Sequence, residues 1–100
     1  MVLTTAQGAT TQKIIEALLS QELAACIQTM KVNSHYIWQG QLQNEAEDLL
    51  LIKAKAADWA AVEAAIRAVH DYETPEILRF DIDAGASSYL DWITSVTRKA

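Results

Sequence analysis

The sequence predicts an α+β domain in which two helices cover one face of a four-stranded antiparallel sheet and a third helix ends the chain. Three observations carry this. Apolar residues recur at helical spacing in three stretches, apolar or alternating runs of strand length separate those stretches, and the order is strand, helix, strand, strand, helix, strand, helix. With both crossovers right-handed, that order is the split βαβ, or ferredoxin-like, sandwich. One hundred residues suit a single domain, residues 1–100, with one core.

Met1 to Thr5 is apolar and rich in β-branched residues, and Gln7-Gly8 closes it as a short strand. Thr10 or Thr11 is placed to cap a helix whose stripe is Ile14, Ile15, Leu18, Leu19 and Leu23. Leu23-Ala24-Ala25-Cys26-Ile27 leads into a second strand, along which polar residues alternate loosely as far as His35-Tyr36-Ile37-Trp38, with Tyr36 and Trp38 on one face and His35 and Ile37 on the other. Gln39-Gly40-Gln41 reads as a hairpin bend. The run Leu49-Leu50-Leu51-Ile52 lacks alternation, so it belongs near the middle of the sheet with cover on both faces. Two helices cover only one face. The terminal helix or another subunit must cover the other.

Asp58 is placed to cap a second helix bearing Trp59, Val62, Ile66 and Val69, which ends near His70. Pro75 cannot continue it and pushes Thr74 into extended geometry. Ile77 to Ile82 then alternates as a half-buried strand, and Tyr89, Leu90, Ile93 and Val96 mark the terminal helix.

Composition excludes several classes. A net charge of −5 offers no basic patch for nucleic acid or an anionic membrane, and no apolar run approaches the ~20 residues that span a bilayer. One cysteine, Cys26, makes no internal disulfide, so the expected compartment is the cytoplasm. No nucleophile is paired with a base and no glycine loop cradles phosphate, which argues against an enzyme. No cofactor is required by any motif.

The run His70-Asp71-Tyr72-Glu73-Thr74-Pro75-Glu76 concentrates polar and ring-bearing groups at one joint. His70 and Glu73 have the spacing of metal ligands on one turn, and imidazole with carboxylate suits copper or zinc. Equally, His70 can simply finish its helix. Cys26 is a candidate soft ligand or a small buried hydrophobe. Tyr36, Trp38, Tyr72 and Trp92 can floor a cleft or fill core and subunit contacts. Lys53, Glu73 and Glu76 are candidates for a polar network at a subunit contact.

Five blocks resemble, in order and spacing, the signature of the CutA divalent-ion tolerance family. They are Leu23-Ala24-Ala25-Cys26-Ile27, Ser34-x-Tyr36-x-Trp38-x-Gly40, Glu47-x-Leu49-Leu50-Leu51-Ile52-Lys53, His70-x-Tyr72-Glu73-x-Pro75-Glu76-Ile77 and Tyr89-Leu90-x-Trp92-Ile93. The resemblance implies a ferredoxin-like subunit in a tight homotrimer, a relation to PII signalling proteins, and binding of copper(II) or another divalent cation. The sequence departs from the family pattern at Ala6-Gln7-Gly8, where a Cys-Pro or Ala-Pro is common, and at Asp71, where proline is usual. Two functions follow as expectations. One is a trimeric metal-binding protein presenting His70, Glu73 and Cys26 in subunit clefts. The other is a PII-like regulatory or scaffold trimer that takes a metabolite or protein partner, with metal binding incidental.

Overall fold

The computed structural model describes residues 1–99. Four strands, β1 (Val2–Ala6), β2 (Cys26–Trp38), β3 (Gln41–Lys53) and β4 (Ile77–Arg79), alternate with helices α1 (Ala9–Ser20), α2 (Trp59–Val69) and α3 (Ser87–Val96). The sheet runs β2-β3-β1-β4 with every neighbour antiparallel. This is the predicted split βαβ arrangement.

Register assigns each strand residue to a face. Val2, Thr4 and Ala6 stand opposite Ile52, Leu50 and Asp48, and this side packs on the helices. The core there holds Val2, Ile14, Leu18, Leu23, Leu50, Ile52, Val62 and Ile66, all almost fully buried. Leu3, Met30, Val32, Leu49, Leu51 and Leu78 lie on the opposite, open face. Leu49 and Leu51 are only half-buried, and Met30 and Leu78 remain 53% and 48% exposed. The terminal helix comes near this face at Lys53, whose ammonium lies 5.8 Å from the centre of the Tyr89 ring. Within one chain Tyr72 also covers Glu47 on this face, while full cover for Met30, Leu49, Leu51 and Leu78 is lacking among the described residues.

The predicted caps take other forms. Thr10 and Thr11 lie inside the first turn of α1, whose cap is Gly8 at φ 55°, and the Thr11 hydroxyl turns to Asp48 instead. Asp58 precedes α2 at the end of a 3-10 turn (Ala56–Asp58) but makes no side-chain capping bond, because its carboxylate faces Lys55 and Arg98. Leu19, expected on the buried stripe, is 44% exposed. β4 is three residues long, and Phe80 and Ile82 beyond it are exposed rather than half-buried.

Two features were not foreseen. β3 begins at Gln41, directly after the bend, rather than at Leu49, so that β2 and β3 are each 13 residues long and pair throughout, joined by Gln39 and Gly40 at φ 51° and 76°. β1 pairs no farther along β3 than Asp48, so residues 32–47 form a two-stranded arm projecting past the helices. The arm lies in a molecule measuring 44 × 26 × 20 Å. Secondly, α1 ends in a left-handed residue that is not glycine: Glu22 has φ 55°, its N–H donates to the Leu19 carbonyl, and Leu23 N–H donates to the Leu18 carbonyl. These two bonds make a Schellman end, with Leu23 packed into the same core as Leu18. A side chain in that conformation costs about 1 kcal/mol relative to glycine. Glu22→Gly is therefore expected to raise the urea midpoint, by up to ~1 kcal/mol in unfolding free energy.

Candidate functional site

The run from His70 meets the end of β1 and the middle of β3. α2 closes with the His70 N–H donating to the Ile66 carbonyl, and His70 turns extended, which swings its ring under the sheet edge. The side chain is 1% exposed. Nε2 lies 2.8 Å from the Thr5 carbonyl and donates to it, while Nδ1 accepts the Tyr72 N–H at 3.2 Å. Both ring nitrogens are thus occupied inside the chain. Asp71 approaches Nδ1 at 3.7 Å without a hydrogen bond.

The Tyr72 ring rests against the His70 ring, centroids 4.6 Å apart, and its hydroxyl donates to Glu47 Oε2 at 2.7 Å. Burial, and then the hydrogen bond to a carboxylate that prefers the phenol protonated, hold the Tyr72 phenol well above the ordinary tyrosine range. Glu47 is 7% exposed on the open face, in line with Leu49 and Leu51. One sheet position along, Asp48 points to the helix side, accepts the Thr11 hydroxyl at 2.7 Å and pairs with Lys31 across the β2–β3 ladder. Those bonds, Lys31 first and Thr11 second, hold the Asp48 carboxyl below the usual carboxylate range. A shallow cleft of about 90 Å³ lies here, lined by Gln7, Gly8, Lys31, Ala46, Glu47 and Asp48.

The Asp48 shift fixes a sign. A carboxyl whose native pKa is depressed contributes stability above its unfolded value, about 3.9, and loses it as pH falls through the lower native one. Asp48→Asn is expected to be less stable than the parent at neutral pH, with the two urea midpoints converging in acid below about pH 4. Parallel curves down to the acid transition would refute that assignment.

The sequence candidates are distributed as follows. His70 and Tyr72 come together with two groups not foreseen, the Thr5 carbonyl and Glu47. Glu73 and Glu76 are exposed, and Glu76 takes part through its backbone carbonyl, which accepts the Thr4 hydroxyl at 2.7 Å. Lys53 pairs with neither acid; its ammonium donates to Gln28 Oε1 at 2.9 Å and lies over Tyr89. Cys26, half-buried, stands opposite Lys53 at the start of the β2–β3 ladder. Tyr36 and Trp38 sit on the arm, and Trp92 lies in α3 against Tyr89. Among the described residues of one chain no group of three or more His, Cys, Asp or Glu side chains converges as a metal set, so His70, Glu73 and Cys26 are not assembled. The signal for Glu47 was present in the alternation Glu47-x-Leu49-x-Leu51, which puts it on the face that needs cover.

The fold is that of a ferredoxin-like plait with an open sheet face, and a histidine-tyrosine-carboxylate joint lies where α2 meets the end of β1. Residues 1–96 match the family described as CutA1 divalent ion tolerance protein, and the chain belongs to that family. The chloroplastic protein CutA 1 of Oryza sativa is 32% identical over 90 residues, covering 89% of this chain and 51% of the rice protein. The chain thus spans about half the length of that plant relative. The divalent-cation tolerance protein CutA of Archaeoglobus fulgidus is 32% identical over 82 residues, 82% of this chain and 80% of its own. Among solved structures, the divalent cation tolerance protein of Thermus thermophilus superposes with a TM-score of 0.91 at 33% identity, covering 97% of this chain and 96% of that one. The PII-like protein CutA of Nostoc gives 0.91 at 27% identity, over 97% and 95%. No helix among the described residues is long and apolar enough to cross a membrane.

Proposed function

We propose that this chain works as a homotrimer in the response to divalent cations, a non-enzymatic protein of the cytoplasm that takes copper(II) or a similar ion in clefts between its subunits. The observation that carries the reading is the open sheet face. Leu49 and Leu51 in the central strand, with Met30 and Leu78 beside them, form an apolar surface that one chain leaves wet. Two further copies are the simplest cover. The lone thiol of Cys26 agrees with a reducing compartment. In this reading exposed Glu73 and half-buried Cys26 contribute ligands that a neighbouring subunit completes, and His70 joins them by exchanging its Thr5 carbonyl for the ion.

The engagement of both His70 nitrogens favours a second reading, a PII-like regulatory trimer whose clefts take a small metabolite and whose affinity for metals is incidental. Sedimentation equilibrium of untagged protein, metal-free and with stoichiometric copper(II), separates the two. A trimer that carries copper with it, and loses it on Glu73→Ala or His70→Ala, supports the first reading. A trimer that leaves copper behind supports the second. A monomer in both runs sinks both.

A further inference from the structure

The C-terminal helix is attached to the body in an unusual way. The main core contains no residue of α3. Ile93 is its one buried side chain, while Tyr89, Trp92 and Val96 each stay about 40% exposed. So few apolar contacts hold a 10-residue helix weakly. The attachment is concentrated just past its end, at Arg98.

Asp58, at the start of α2, is 2% exposed, and its Oδ2 is buried without a hydrogen-bond partner. A carboxylate in that position is strongly unfavourable unless cations compensate it. Two do. Arg98 places Nε and Nη2 each 3.1 Å from Oδ1, and Lys55 places its ammonium 3.8 Å from Oδ2. The backbone of Arg98 is gripped as well: its N–H donates to the Glu22 carbonyl at 2.7 Å and its carbonyl accepts the Lys55 ammonium. Lys55 therefore touches both the buried acid and the tail that the acid holds. The site on the body is formed by two elements, the left-handed end of α1 and the turn before α2, neither of which depends on α3.

We propose that Lys55, Asp58 and Arg98 form a latch, and that α3 is a strap which this latch holds against the open sheet face and which lifts as a unit when the latch opens. The opening is local. The sheet, α1 and α2 keep their common core when the strap leaves, and Lys53 at the end of the open face loses the Tyr89 ring. This device requires neither a bound metal nor a metabolite.

Amide hydrogen exchange read by mass spectrometry on the full chain tests it. Arg98→Gln, at a side chain 45% exposed, and Asp58→Asn are each expected to speed exchange of the α3 amides by about tenfold or more, with α1, α2 and the sheet unchanged. Because the two groups act through one contact, the double variant is expected to exchange α3 no faster than the faster single variant. Lys13→Gln, a remote charge removal, is expected to leave α3 as in the parent. Unaltered α3 protection in Arg98→Gln would overturn the latch, since some other contact, including one from a neighbouring subunit, would then be holding the helix. So would a parallel loss of protection in every element. If Asp58→Asn does not fold, Arg98→Gln decides alone.

Discussion

Replacing Leu50 by alanine is expected to lower the free energy of unfolding by about 3 kcal/mol in a urea titration. Leu50 is fully buried on the helix side of the central strand, opposite Thr4 of β1 and Thr29 of β2, in the same cluster as Ile14, Leu18 and Ile66. The change removes three carbons where sheet and helices fix the surroundings on every side, so little collapse can fill the space. Against a typical total of about 5–15 kcal/mol, the loss is large. Leu49→Ala is the informative companion. Its side chain is half-buried on the open face, and in a single chain its loss is expected to cost about 1 kcal/mol or less. A Leu49 effect as large as that of Leu50 would mean that the open face is dry in solution, which only a partner can achieve.

His70→Ala is expected to cost about 2–3 kcal/mol even in protein stripped of metal. The ring is sealed in, and its removal leaves the Thr5 carbonyl and the Tyr72 N–H without their partner and the Tyr72 ring without its neighbour. The loop would then no longer present the Tyr72 hydroxyl squarely to Glu47. The check is again a urea titration, performed with and without chelator. A substitution with little effect on the metal-free protein would show that the ring is not structural, and would return weight to His70 as a ligand. This cost also means that copper affinity of His70→Ala must be compared at matched folded fraction.

Much of the architecture was legible because periodicity reports burial. The Ile14 and Leu18 positions, the Val62 and Ile66 positions and the unbroken Leu49–Ile52 run lie where their spacing put them, in two helices and a central strand. The helix ends were less legible. Thr11 and Asp58 are good capping residues, but tertiary partners compete for the same oxygens, and Asp48, Lys55 and Arg98 won, while Thr10 falls inside a helix that already starts at Ala9. The start of β3 was hidden because residues 41–46, paired only with the outer part of β2, lie largely in solvent and so show no apolar period. At the joint, His70 and Tyr72 stood out by residue type. The Thr5 carbonyl did not, since a backbone acceptor leaves no mark in sequence, and Glu47 was marked only by the strand face it shares with Leu49 and Leu51, not by its residue type.

The arm bears on how the chain comes together. Its two strands close through a two-residue turn, pairing Trp38 with Gln41, so each successive rung adds little loop entropy. The β1–β4 ladder instead joins Val2 to Arg79, residues about three-quarters of the chain apart. The entropic barrier therefore falls on three residues of β4, and the far half of the arm, with no third strand beside it, gains nothing from that closure. The molecule thus couples a ribbon that can be made locally to a sheet edge that brings distant parts of the chain together.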